Sequence, residues 1–340
     1  MKVCMLLAGD EEGGLEKHVM ELANALSEKV DLHLVAHAKY RDRVVPAVQF
    51  HAIDLTRSRR NPFLLFELVR TLRRIKPDLV HAHAVKATDL LAKIRHWVAA
   101  RTVATLHNRR RRLGGYGQMD GVIAINHEIA QSLNPATLKI IPNGMDLPSY
   151  TPVLRPALVE EFGLDPELPI FLAMGRLVDA KGFDVLLDAW QGIDASLVIL
   201  GDGERQAALQ TKLEQQRMQA RVILAGHREL ALRYLHGSDF LVISSRNEGG
   251  PYTLVEALLI GVPVLSTRVG MCSDWLPSAY LCETNDASGL HGLVEQALNN
   301  PQQMHQEFEP IFRRAEASLT LHGMAQSALD FYRQVLARPQ

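Results

Sequence analysis

The chain has too few cysteines for a disulfide framework. Its 340 residues hold three, Cys4, Cys272 and Cys282, and their spacing matches no metal-binding motif. No apolar run approaches the ~20 residues needed to span a bilayer. Aromatic residues make up 6% of the chain and do not interleave with its basic stretches, so nucleic acid is not the expected partner. No Asp-x-Asp pair stands out, so no divalent metal or other cofactor is expected to be required. The apolar start, Met1 to Ala8, runs directly into an acidic loop with Gly13 and Gly14. That pattern reads as a first buried strand rather than an export signal, which predicts a cytoplasmic protein.

What the chain does have is a soluble enzyme's balance, with 47% hydrophobic and 22% charged residues. Its near-zero net charge hides an asymmetry. Residues 1–150 carry 22 Lys/Arg against 15 Asp/Glu, and residues 151–340 carry 15 against 23. The excess sits in Arg57–Arg60, Arg70–Lys76 and Arg109–Arg112, so the first half is expected to meet something anionic.

Short apolar runs alternate with amphipathic helices. Strands are predicted at Lys2–Ala8, Asp31–Ala36, Val48–Ile53, Leu79–His83, Thr102–Leu106, Val122–Ile125 and Lys139–Ile141, with helices at Pro62–Ile75 and Ala87–Trp97. A Pro-rich stretch, Pro142 to Pro156, reads as a linker. The rhythm restarts with strands at Pro169–Met174, Ser196–Leu200, Val222–Leu224, Phe240–Ile243 and Val264–Thr267, and from Asp286 only helices follow. The expected fold class is α/β, with two doubly wound parallel sheets.

The segment from Ser244 to Leu258 carries the most chemistry. It follows an apolar strand and opens a helix, whose first amides and positive dipole end favour an anion. Glu248 stands before the helix and Glu256 eight positions later, inside it. An anion cradle with two carboxylates suits a ligand with both phosphates and hydroxyls. Gly249 and Gly250 permit close backbone approach, and the amides of Tyr252, Thr253 and Leu254 are candidate phosphate donors.

This Glu-x7-Glu spacing, with Glu256-Ala257 leading into Gly261-Val262-Pro263-Val264, resembles the signature of retaining GT-B glycosyltransferases of family 4 (glycosyl transferases group 1). Gly175-Arg176 and Lys181-Gly182 resemble that family's diphosphate grip, Gly13-Gly14 its glycine loop, and Pro142-Asn143-Gly144 its interdomain segment. The resemblance runs from end to end. It implies a GT-B fold, two Rossmann-like domains facing across a cleft, with residues 1–150 on the acceptor side and 151–321 binding the nucleotide sugar. A last helix, about 322–340, would pack back on the first domain.

It also implies roles. His107, Arg176, Lys181 and Glu248 would be catalytic, with Glu248 facing the sugar and Glu256 the ribose. Gly14 would approach the donor, while Gly13, Arg109 and Arg110 would lie on the acceptor side. The donor would be a UDP-, GDP- or ADP-linked sugar. The acceptor would be a glycan or glycolipid hydroxyl in lipopolysaccharide or other surface polysaccharide synthesis. The basic first half would suit the anionic inner-membrane surface.

Other readings stay open at this point. A GT-B sugar-nucleotide epimerase or hydrolase would need no acceptor. His81, His83 and His107, at strand ends, also permit a zinc hydrolase. A non-catalytic sugar-binding protein is the remaining alternative.

Overall fold

The structure is a computed structural model that describes residues 1–9, 13–108, 113–131, 133 and 138–338. The chain divides into two compact units, Met1–Met145 with Ser318–Gln340, and Asp146–Ala317. Each is a parallel sheet covered by helices.

The first unit carries strands β1 (Lys2–Leu7), β2 (Asp31–Ala36), β3 (Gln49–Ala52), β4 (Leu79–His83), β5 (Arg101–Leu106), β6 (Gly121–Ala124) and β7 (Leu138–Ile140). They pair in the order β3-β2-β1-β4-β5-β6-β7, all parallel. Its helices are α1 (Gly14–Ser27), α2 (Pro62–Ile75), α3 (Ala84–Ile94) and the short α4 (His127–Gln131). Strands buried on both faces read as apolar runs, as β1 does after Lys2; β4 is equally buried although it carries His81 and His83.

In the second unit α5 (Arg155–Phe162) precedes β8 (Ile170–Met174), α6 (Phe183–Ala189), β9 (Ser196–Leu200), α7 (Gln206–Gln215) and β10 (Val222–Gly226). Then come β11 (Phe240–Ile243), α8 (Tyr252–Ile260), β12 (Val264–Thr267), α9 (Gly270–Trp275), β13 (Leu281–Cys282), α10 (Ala287–Asn299) and α11 (Pro301–Ser318). The sheet order is β10-β9-β8-β11-β12-β13, again all parallel.

The last helix, α12 (Leu321–Leu336), belongs to the first unit. Its Met324, Ala328, Phe331, Tyr332 and Val335 share one core with Val19, Leu22 and Leu26 of α1. The pattern i, i+4, i+7, i+8, i+11 is the apolar stripe of an amphipathic helix.

Most expected elements form within a residue or two of their expected bounds. Two differ for physical reasons. The helix expected at Ala87–Trp97 begins at Ala84, directly from β4, because Ala84 takes φ 62° and turns the chain without a loop. It then tightens into a 3₁₀ turn at Arg95–Trp97. The Pro-rich linker is also shorter than expected, since Pro156 stands in the first turn of α5, where a missing N–H costs nothing.

Candidate active site

In open α/β sheets, ligands bind beyond the carboxyl ends of strands where the strand order reverses. The reversals lie between β1 and β4 in the first unit, and between β8 and β11 in the second. The sequence candidates cluster at both places.

In the second unit, the loops after β8 and β11 are stitched together. The Lys181 ammonium forms an ion pair with the Glu248 carboxylate. The same oxygen accepts from Ser245 Oγ at 3.2 Å. Ser244 Oγ donates to Lys181 O at 2.9 Å, and Arg246 N–H to Ala180 O at 2.8 Å. Arg246 also grips Asp184 with two guanidinium nitrogens, at 2.8 and 2.7 Å, and these bonds hold the Asp184 carboxyl below the usual range.

Gly182 sits at φ 63°, and a Cβ there would drive into Ser244 O, so this crossing needs glycine. On the other side the backbone of Gly270 packs against the carbonyls of Glu248 and Gly249. Met271 N–H donates to Gly249 O at 2.9 Å. Cys272 lies buried beneath. Burial first, then the neighbouring Glu248 charge, push its thiol up to about 12, so it stays neutral.

Arg176 is exposed at the end of β8, and among the described residues no carboxylate pairs with it. Glu256 lies half-buried within α8, close enough for its charge to help burial raise the Tyr150 phenol. That hydroxyl bonds His236 Nε2 at 2.9 Å. Pro251 is the residue just before α8. One expectation is corrected here. Leu254 N–H donates to Pro251 O at 3.2 Å and the residue is fully buried, so this amide serves the helix start instead of a phosphate. Tyr252 and Thr253 stay at the helix mouth, only partly buried.

In the first unit, histidines converge. His107 follows β5 and His83 ends β4, with Nδ1 of His83 3.4 Å from Nε2 of His107. His18, from α1, meets His107 edge-on at 4.8 Å between centroids. Asn143 lies beside His18, which brings Pro142-Asn143-Gly144 up to this cluster. Burial drives all of these imidazoles down, His18 to about 4 and His83 and His107 well below their ordinary value. They are therefore neutral at pH 7.

His81 is different. Its Nδ1 bonds Tyr332 OH and its Nε2 bonds Thr105 Oγ1, both at 2.7 Å. With both nitrogens engaged it cannot ligate a metal, which corrects the set His81, His83 and His107. The ligand atoms of His18, His83 and His107 do lie within 4.8 Å of one another. A closed tetrahedral zinc site with bonds of about 2.0–2.1 Å sets its ligand atoms about 3.3 Å apart.

Gly13 precedes α1 with extended backbone (φ −154°), and Gly14 opens the helix, both exposed. The Glu16 carboxylate, 4% exposed, lies against Gly9 and Gly13 and favours the dipole end of its own helix. Arg109 and Arg110 lie outside the described residues.

The sequence comparisons divide the chain at nearly the same place. Residues 12–148 match the family model described as Glycosyltransferase Family 4, and residues 155–311 the one described as Glycosyl transferases group 1. The chain is a GT-B glycosyltransferase.

Among its relatives, the glycosyltransferase is 25% identical over 301 residues to the lipopolysaccharide core biosynthesis glycosyltransferase LpsE of Rhizobium meliloti (strain 1021). That match covers 84% of this chain and 86% of LpsE. It is 23% identical over 317 residues to N-acetyl-alpha-D-glucosaminyl L-malate synthase of Bacillus anthracis, covering 82% of this chain and 83% of the relative. The fold matches the crystal structure of Anabaena Alr3699/HepE in complex with UDP, with a TM-score of 0.83 at 18% identity, over 98% of this chain and all of the other.

Sequence reasoning missed several groups in the glycosyltransferase's two clusters. His18 was hidden because it reads as one more position on an apolar helix face. Tyr150, Ser245 and Arg246 carry no motif of their own. Only the fold shows that they support the residues that do.

Proposed function

We propose that the enzyme moves a sugar, with retention, from a nucleotide diphosphate sugar to a hydroxyl of a glycan or glycolipid in surface-polysaccharide synthesis. The observation that carries this reading is the Lys181–Glu248 ion pair, at the reversal between β8 and β11, with Arg176 in the same loop as Lys181.

In this reading the bond between the anomeric carbon and the diphosphate oxygen breaks as the acceptor hydroxyl attacks the same face. The new C–O bond forms there, and the hydroxyl proton passes to the departing phosphate oxygen. Negative charge grows on the diphosphate as the bond breaks, so fixed cations stabilise the transition state more than the ground state. Arg176 and Lys181 take that role, and Tyr252 and Thr253 at the mouth of α8 would hold phosphate oxygens.

Glu248 accepts hydrogen bonds from the sugar, and Glu256 from both hydroxyls of the ribose. His107, kept neutral by burial, orients a sugar hydroxyl without adding charge. Gly14, Gly249 and Gly250 let the donor approach the backbone, while Gly13, Arg109 and Arg110 serve the acceptor. The relationship to LpsE supports a lipopolysaccharide-type acceptor.

Thermal unfolding with UDP, GDP or ADP identifies the donor base. A nucleotide at 100 times its Kd adds about 2.7 kcal/mol to stability. NMR of the product then reads the anomeric configuration. An inverted product would end the retaining assignment, and rapid donor turnover without acceptor would favour a hydrolase or epimerase.

A further inference from the structure

The solvent face of α2 is unusual for a helix that covers a sheet. Its inner stripe, Leu64, Leu68, Leu72 and Ile75, is buried as the spacing predicts. The outer face carries Phe63, 79% exposed, and Phe66, 68% exposed, one turn apart. Arg70 and Arg73 continue the same exposed stripe. Arg73 Nε donates to Trp97 O at 2.9 Å, and this places Trp97, itself 55% exposed, beside the far end.

The charge is of one sign. Residues 57–76 hold seven Lys/Arg and a single acid, Glu67, which Arg57 already meets at 3.6 Å. Large aromatics on a polycationic helix face are the pattern of a segment that lies in a lipid headgroup layer. Arginines meet the anionic lipid phosphates while aromatic rings enter the boundary below. The helix does not span. At 14 residues it is about 21 Å long, short of a hydrocarbon core of about 30 Å, and its inner stripe is committed to the sheet.

We infer that the face formed by Phe63, Phe66, Arg70, Arg73 and Trp97 docks the first unit on an anionic bilayer surface. This surface is separate from the residues assigned to sugar transfer. Its charge complements an anionic leaflet, and its aromatics add a contact that cations alone would not provide.

Flotation of the full chain with vesicles tests the proposal, and no nucleotide sugar is present, so the result does not depend on the transfer reaction. The protein should float with vesicles containing phosphatidylglycerol, stay behind with pure phosphatidylcholine, and be released as salt screens the surface charge. Phe63→Ser combined with Phe66→Ser should lower the bound fraction about tenfold or more while thermal unfolding stays unchanged, because both side chains are exposed. Arg70→Ser should weaken binding to anionic vesicles alone. Three results would overturn the proposal. One is a wild type that stays behind with anionic vesicles at low salt. The double variant could float as well as the wild type. A wild-type dimer could become monomeric in the double variant with vesicle binding intact, which would make a second copy of the chain the occupant.

Discussion

The Lys181 ammonium and the Glu248 carboxylate, 67 positions apart in sequence, are ion-paired in the second unit, each with about a fifth of its side chain exposed. The pair joins the loop after β8 to the loop after β11. It holds together the two groups assigned to the leaving phosphate and to the sugar.

Lys181→Ala should therefore lower kcat/KM by about 10²–10³, the scale of losing one preorganised contact to developing charge. Glu248→Ala should cost a similar factor. Because the residues touch, the double variant should lose less than the product of the two single effects. Steady-state kinetics on the three variants decides this, and full activity in either single variant would remove that residue from the chemistry.

Glu256 should separate from Glu248 in a binding experiment. If Glu256 holds the ribose, Glu256→Ala should weaken a nucleoside diphosphate by about 10–100-fold, the scale of hydrogen bonds to a charged acceptor. Glu248→Ala should leave that affinity nearly unchanged, since the diphosphate carries no transferred sugar. Calorimetric titration with the nucleotide reads both.

Acid should destabilise the first unit through its buried histidines. His18, His81 and their neighbours bind protons less readily folded than unfolded, His18 titrating near about 4 and His81 near about 3 because of burial. Above the unfolded value near 6.5, both states are neutral and stability does not depend on them. As pH falls below 6.5 the unfolded chain takes up protons first, and each such histidine costs about 1.4 kcal/mol per pH unit until the folded form titrates. Denaturant midpoints should thus fall steeply from pH 6.5 to 4. Replacing His18 with Gln should flatten that slope by about one proton.

Tyr332→Phe should destabilise the protein by about 1–3 kcal/mol, because it strips His81 Nδ1 of its buried partner. Thermal unfolding measures the loss. The substitution removes only the hydroxyl and keeps the buried ring, so a neutral result would mean that His81 finds another partner.

Much of this molecule was legible before folding. Parallel strands announce themselves as apolar runs, and Asp31–Ala36, Leu79–His83, Ser196–Leu200, Phe240–Ile243 and Val264–Thr267 form at their expected bounds. Lys181, Glu248 and Glu256 stood out because glycines and a helix start frame them. What stayed hidden depends on distance in sequence. The Lys181–Glu248 pair and the Tyr332–His81 bond each join segments that no local pattern connects. Leu254 showed the opposite limit, since its amide looked available until the helix start claimed it.

The return of α12 to the first unit has a consequence for the order of synthesis. Residues 146–317 form a self-contained unit, whereas the first unit lacks part of its core until Met324 to Val335 have been made. Domains generally fold as units while the chain emerges, the amino-terminal one first. Here the sequence of events is reversed. The middle of the polypeptide can settle before its beginning does, and the opening strands must wait with an apolar flank uncovered until the final helix arrives. A chain cut after residue 318 would lose that cover while leaving the second unit whole.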